Sequence, residues 1–323
     1  QKEEVMRNQK QKNKKVEQWE RFLIMSDLDG TLLNNKSDVS TFTCKIVRKL
    51  ISYGHIFVII TGRPPHNALH IYKKLGLKHL MCNLNGAYIW NPTEKHFIPV
   101  NLCFNADITI RILSSKKVMK YVDNFVVENY KGTYIKFRPK PGERAADFSS
   151  FHIRPGQTVV EIGNNINKLK GADCHSVVLQ VKGNSKENLD KLIFELRFFS
   201  QTLITRVWDD PNLGYVVEIN TRFATKGTAL DYLSNYYSIP KENCIAFGDS
   251  ENDEEMLQEA AYGYAMMNGS ATAKIAATYI TKYTNDNDGV AKTLDYIEKL
   301  IHRNIRKVAT HGAIDELERG AKK

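Results

Sequence analysis

The sequence predicts an α/β fold: a parallel sheet covered by helices on both faces, interrupted by an inserted α+β unit. Three observations carry this reading. Continuous apolar runs alternate with helix-spaced segments near both ends of the 323-residue chain, as in parallel sheets buried on both sides. The rhythm changes over 91–213, where alternating strands surround a loop holding Pro139, Pro141, Gly142 and Pro155. Polar loops follow the apolar runs, where ligands bind in open sheets of this kind. The resulting division is a basic extension over 1–20, a core over 21–90 and 214–303, an α+β insert over 91–213 and a tail over 304–323.

Each element has its own signal. Phe22-Leu23-Ile24-Met25 reads as a buried strand that runs into Asp27-Leu28-Asp29-Gly30-Thr31. Residues 41–53 read as a helix, with Ile46, Val47, Leu50 and Ile51 at helical spacing and Gly54 ending it. A second strand over 56–60 runs into Thr61-Gly62-Arg63-Pro64, and a helix over 65–75 stops at Gly76. Leu80-Met81-Cys82 is a third short strand. In the insert, 87–90 and 96–100 read as a hairpin, 108–129 as containing helical stretches, 133–137 as a strand and 138–155 as loop. Strands over 176–181 and 202–207 flank a helix over 185–199. The core style resumes near Gly214, with a strand over 215–219 and a helix over 226–237. A buried strand over 243–247 and a helix over 254–261 follow. Edge strands over 264–266 and 279–281 and a closing helix over 289–303 complete the chain.

Composition narrows the class. Net charge is +10, but the basic residues are dispersed outside the first 20, and no RNA-binding or zinc-finger signature is present. Nucleic acid is therefore not an expected partner. No apolar run approaches the roughly 18 residues of a membrane helix, and 1–20 lacks the apolar centre of a secretory signal. Five scattered cysteines, none in a Cys-x-x-Cys pair, argue against a zinc site and for reduced thiols in the cytoplasm.

Four polar loops make one coherent phosphoryl-transfer site. Asp27 is the expected nucleophile, since a carboxylate can carry a phosphoryl group as an acyl phosphate. Asp29, two residues on, is the expected general acid and then base. Strand alternation would point both side chains the same way. Thr61 and Gly62 are placed to hold phosphoryl oxygens, and Lys226 to stabilise charge on the transferring group. Arg63 either binds phosphate or pins an acidic loop. Asn85-Gly86 reads as a turn. Asp249 and Asp253 add carboxylates, which would repel one another without a cation. Magnesium fits, held by Asp27, Asp249 and the carbonyl of Asp29, while Asp253 braces the loop or Lys226 from behind.

The motifs, taken in order, resemble the haloacid dehalogenase superfamily of phosphohydrolases, in particular its Cof-like branch (type IIB cap). They are Asp27-Leu28-Asp29-Gly30-Thr31-Leu32-Leu33, Ile60-Thr61-Gly62-Arg63, Asn85-Gly86-Ala87, Lys226-Gly227-Thr228-Ala229-Leu230 and Gly248-Asp249-Ser250-Glu251-Asn252-Asp253. The segment Asn285 to Val290 is similar to the branch's closing segment. The match covers 22–300. The resemblance implies a Rossmann-like core with a cap inserted between the second and third motifs. It also implies magnesium-dependent phosphatase activity on a small phosphorylated metabolite through an aspartyl-phosphate. Asn252 would help hold the phosphate beside Lys226. Met266-Met267-Asn268-Gly269 departs from the branch's usual Met-Gly-Asn-Ala run.

Two other functions compete. A phosphotransferase or phosphomutase on the same fold would let a sugar hydroxyl replace water. A non-catalytic nucleic-acid or partner-binding protein would keep the fold for shape alone, and the basic arm is its only support. The insert is expected to govern substrate choice, with hinges near Pro92, Pro211 and Gly214 and with Lys136 and Arg138 as basic candidates facing an anionic substrate. The sequence does not set the oligomeric state.

Overall fold

The computed structural model describes residues 21–140, 159–199 and 201–304. The expected 1–20 extension, most of the 138–155 loop and nearly all of the tail lie outside them. The chain begins with β1 (Leu23–Ser26), α1 (Thr41–Ser52), β2 (Ile56–Ile59) and α2 (Pro65–Leu75). Ser40 caps α1 by accepting from the Thr43 amide, and Gly76 ends α2 in the left-handed conformation (φ 74°). Then come β3 (Met81–Asn83), β4 (Tyr88–Trp90) and β5 (Val100–Asn101), which form a small antiparallel sheet.

The insert contains α3 (Ala106–Ser114), α4 (Lys116–Met119), β6 (Val122–Glu128), β7 (Thr133–Ile135), β8 (Val159–Glu161), β9 (Ser176–Val181), α5 (Lys186–Leu196), β10 (Leu203–Asp210) and β11 (Gly214–Thr221). Its strands make a six-stranded sheet in the order β10-β11-β9-β6-β7-β8. The chain then returns through α6 (Lys226–Tyr237), β12 (Cys244–Gly248), α7 (Glu254–Glu259), β13 (Tyr262–Ala265), α8 (Ala271–Ala276), β14 (Tyr279–Ile280) and α9 (Gly289–Asn304).

The core sheet runs β14-β13-β12-β1-β2, parallel throughout, with Leu23 opposite both Cys244 and Ile56. Strand alternation divides its apolar residues between two layers. Ile24, Phe57, Ile59 and Phe247 pack against α1, α2 and α9, while Leu23, Met25, Val58 and Ala246 pack against α6 and α7. Burial on both faces explains why these strands read as unbroken apolar runs. No helix among the described residues is long and apolar enough to cross a membrane.

Several boundaries differ from expectation. The 91–101 segment packs on the core side: Val100 pairs with Ile89, and Phe97 and Val100 pack against the core's apolar cluster. The β3 strand joins the small sheet and touches the core sheet through one bridge, Ile60 to Cys82. Within the stretch read as helical, Val122–Glu128 is a strand, as its β-branched and aromatic content favours. The β13 strand lies between β12 and β14, so of the two strands expected at an edge β14 alone is one. The strand from Gly214 belongs to the inserted sheet, not the core, because it pairs on one side with β10 and on the other with β9. Pro211 and Gly214 stand at the β10–β11 hairpin turn, where Asp210 pairs with Gly214, and Pro92 lies in the turn between β4 and β5. The crossings between units therefore fall at 102–105 and 222–225, not at the expected hinge residues.

Candidate active site

The site assembles where β1, β2 and β12 end. Asp27 follows β1, and its amide donates to the Phe247 carbonyl at 3.1 Å. The chain then turns tightly over Leu28–Leu32, with Gly30 at φ +70°. A Cβ at Gly30 would sit 2.5 Å from Asp249 Oδ2, so both conformation and close approach require glycine. Because the strand stops at Ser26, Asp27 and Asp29 are arranged by this turn and not by strand alternation. Both still line one cleft. Asp27 is buried, whereas the Asp29 side chain is 46% exposed.

Arg63, buried behind the β2 loop, holds Asp29 with two donors. Its Nε donates to Asp29 Oδ2 at 2.6 Å, its Nη2 to Oδ1, and its Nη1 to the Asn67 carbonyl at 3.1 Å. Of the two roles left open for Arg63, pinning the acidic loop is the one with a geometric basis. Thr61 is buried, and its hydroxyl accepts from the Arg63 amide at 3.1 Å. A Cβ at Gly62 would lie 3.2 Å from Asn85 Oδ1.

Lys226 is the first residue of α6, whose start is fixed by the Thr225–Thr228 capping box. Its ammonium is fully buried, 2.6 Å from Asp253 Oδ1 and 3.0 Å from Asp27 Oδ1. Burial works against that charge, but Asp253 and Asp27 outweigh it and hold the ammonium above the ordinary lysine range. Asp253 Oδ2 accepts from the Asp249 and Ser250 amides at 2.9 and 3.1 Å. One carboxylate thus ties Lys226 to the loop after β12. Thr31 Oγ1 donates to Asp249 Oδ1 at 2.7 Å, tying the first and last loops together.

One carboxylate oxygen from each of Asp27, Asp249 and Asp253 lies within 4.8 Å of the others. Burial pushes the Asp27 carboxyl well above the usual range; Lys226 pulls it back, and Asp253, Asp249 and Asp29 push it further up. Burial, reinforced by Asp253, lifts Asp249 to about 6 against the pull of the Thr31 hydrogen bond and Lys226. Such crowding of hard anionic oxygens fits a divalent cation of the magnesium class. Both oxygens of Asp253 are engaged, by Lys226 and by the Asp249 and Ser250 amides, whereas Asp27 and Asp249 each meet a protein partner at one oxygen, so these two carboxylates could hold such an ion.

Asn252 lines the same cleft; its Nδ2 donates to Asn85 Oδ1 at 2.9 Å, and its Oδ1 accepts from Ser250 Oγ at 2.8 Å. Asn85, read from the sequence as a turn residue, is therefore part of the site. The cleft measures about 1070 Å³ and is lined also by Arg206, Trp208 and Glu218 of the inserted sheet. Sequence reasoning missed these three, although the alternation along β10 and β11 carried the signal. The basic candidates it proposed lie elsewhere. Lys136 stands over the Phe137 ring, 5.6 Å from its centroid, and Arg138 Nη2 donates to the Val159 carbonyl at 2.8 Å.

A family model described as haloacid dehalogenase-like hydrolase matches residues 24–294. The chain is similar to 5-amino-6-(5-phospho-D-ribitylamino)uracil phosphatase YitU of Bacillus subtilis, 29% identical over 273 residues, covering 84% of this chain and 96% of that one. A solved haloacid dehalogenase-like hydrolase from B. subtilis superposes with a TM-score of 0.69 at 27% identity, over 85% of this chain and 99% of its own. Another, from Bacteroides thetaiotaomicron, shares the fold at a TM-score of 0.71 and 23% identity, over 86% and 100%.

Proposed function

The chain belongs to the haloacid dehalogenase-like hydrolases and is an enzyme of their phosphatase kind; on that premise we propose that it hydrolyses small phosphomonoesters with magnesium, through a phosphoryl group carried on Asp27. The observation that supports this most is the buried Lys226 ammonium 3.0 Å from Asp27 Oδ1 and braced by Asp253. A cation held against a buried carboxylate at the mouth of a cleft suits the transfer of an anionic group to that carboxylate.

In this reading an oxygen of Asp27 attacks phosphorus as the bond to the leaving oxygen breaks, and Asp29 gives that oxygen a proton. Asp29 then takes a proton from water as the water oxygen attacks the same phosphorus. The Asp27–phosphorus bond breaks, releasing inorganic phosphate and restoring the Asp27 carboxylate and the protonated Asp29. Lys226, the Thr61 hydroxyl and the backbone at Gly62 stabilise the phosphoryl oxygens, joined by Asn252. Arg63 is a positioning residue that aims Asp29, and its grip must loosen when Asp29 carries the proton. Asp27, Asp249 and the Asp29 carbonyl would hold a magnesium ion, which when bound offsets the negative charge shared by nucleophile and substrate.

The inserted unit acts as a cap over the cleft, entered and left at 102–105 and 222–225. Free cysteines and the absence of a long apolar helix among the described residues support a cytoplasmic setting. The test is a screen of phosphorylated metabolites with magnesium and after exhaustive chelation. Phosphate release that needs the metal supports the reading, and undiminished release under chelation refutes the metal assignment.

A further inference from the structure

The cap sheet has two unlike faces. One, carrying Phe125, Val127, Val177, Leu179, Val217 and Ile219, packs in a single apolar cluster with α3 and α5. The other follows from register: Arg206 lies opposite Glu218, Trp208 opposite Val216, and Glu218 in turn opposite Val178. Directly opposed residues share a face. This second face supplies Arg206, Trp208 and Glu218 to the cleft that holds Asp27.

Glu218 is fixed in place. Its Oε1 accepts from Ser176 Oγ at 2.9 Å and from Asn220 Nδ2 at 3.2 Å. An ionised carboxylate has about four acceptor positions, so these two donors leave capacity unused. Arg206 is tied into the same network, its Nη1 donating to Asn220 Oδ1 at 3.3 Å. Asp210 also lines the cleft, with Oδ1 accepting from the Asn212 and Leu213 amides. On the same face as Glu218 sits Glu128, 4% exposed, with Oε1 lacking a hydrogen-bond partner. Burial, and then Glu218, push Glu128 up to about 8, so near neutrality it keeps its proton and adds no negative charge.

We propose that Glu218 is a specificity-determining residue whose carboxylate accepts a hydrogen bond from a hydroxyl or ammonium on the leaving group, and which selects against leaving groups that carry a second anion. The proposal rests on the phosphomonoesterase reading. The cap brings two carboxylates, Glu218 and Asp210, and one arginine to the cleft. The core adds four carboxylates, Asp27, Asp29, Asp249 and Glu251, against one further arginine, Arg63, which is already paired with Asp29. A second anion placed there would meet like charge, whereas a polyol or amine would supply the donors that Glu218 still lacks.

The experiment compares two substrate pairs in wild type, Glu218→Gln and Arg206→Gln, with magnesium. Sorbitol 6-phosphate and 6-phosphogluconate differ in a terminal hydroxymethyl against a carboxylate; glucosamine 6-phosphate and glucose 6-phosphate differ in an amine against a hydroxyl. The readout is the ratio of kcat/KM within each pair. For a compound bound but not turned over, it is the inhibition constant against para-nitrophenyl phosphate. Both members of a pair are measured on one preparation, so any loss of folded protein cancels in the ratio.

Wild type should favour sorbitol 6-phosphate by about 10-fold or more, the scale at which a site discriminates a hydrogen-bonding group. It should also accept glucosamine 6-phosphate at least as well as glucose 6-phosphate. Glu218→Gln should reduce the first ratio about 10-fold and lower the second, while Arg206→Gln should raise the first. Ratios in Glu218→Gln within about two-fold of wild type would overturn the proposal, as would a wild-type preference for 6-phosphogluconate. If Glu218→Gln does not fold, the wild-type ratios and Arg206→Gln decide it alone. Hydrolysis of para-nitrophenyl phosphate with unmoved ratios sinks this inference and spares the phosphatase reading. Failure of wild type on every phosphomonoester removes that reading and this inference with it.

Discussion

Replacing Lys226 by methionine keeps the side-chain length and removes the positive charge that, among the described residues, lies within hydrogen-bonding distance of both Asp27 and Asp253. The ammonium is fully buried, 2.6 and 3.0 Å from those two carboxylates. At an effective dielectric constant near 20, each contact is worth roughly 6 kcal/mol of attraction. Several kcal/mol of that are offset by taking the ammonium out of water, and removing one partner of a buried pair typically costs about 3–5 kcal/mol. The variant can relieve the loss by protonating a carboxylate. Asp27 is already displaced upward by burial, so protonation is cheapest in mild acid. The deficit should therefore be small at pH 5 and full at pH 8. Thermal unfolding followed by circular dichroism, with chelator present, reads this directly. The melting temperature should fall on the order of 5–10 °C at pH 8 and by less than half of that at pH 5. An unchanged melting temperature at pH 8, or the same loss at both pH values, would refute the role given to Lys226.

Four further outcomes follow from the same geometry. Asp27→Asn should fold normally and lose about 10⁴ or more in kcat; a tenth of wild-type activity would remove Asp27 as nucleophile. Asp249, raised by burial to about 6 from an ordinary 3.8, takes its proton in the folded chain before the unfolded one. Its contribution to stability is thus fully present below about pH 4 and lost as pH rises through 6, while magnesium affinity, measured by calorimetry, should weaken below about pH 6 as protons compete for the same oxygens. Gly30→Ala should cost about 1–2 kcal/mol for the positive φ alone and weaken magnesium binding by displacing Asp249, checked by denaturant titration and calorimetry. Burial, with Glu218 adding to it, raises Glu128 from an ordinary 4.5 to about 8, so the stability it contributes in its protonated form is fully present below about pH 4.5 and lost as pH climbs through 8; Glu128→Gln should flatten the decline in melting temperature between about pH 5 and 8.

The core was legible because its strands are buried on both faces. Leu23 to Met25, Ile56 to Ile59 and Cys244 to Phe247 must all be apolar, and each run marks its own polar loop. The carboxylates proposed as catalytic, Thr61 and Lys226 could be read from those loop positions. Their pairings could not. That Arg63 grips Asp29, and that Asp253 serves both Lys226 and the Asp249 amide, depends on how loops distant in sequence meet. The cap was read less well. Gly214 and Pro211 signal a turn, but a hairpin turn and a linker use the same residues, so the return to the core was placed at 214 instead of after Thr221. Glu218 stood in plain view beside Ile219, but its place in the cleft depends on which sheet its strand joins.

The central claim is that Asp27 carries the phosphoryl group. A rapid acid quench during turnover of a phosphomonoester with magnesium, followed by peptide mass spectrometry, tests it most directly. The account predicts a phosphoryl group on the peptide containing Asp27, lost on treatment with hydroxylamine and never seen with Asp27→Asn. Full turnover with no protein-bound phosphoryl group, or one that persists in Asp27→Asn, would contradict it.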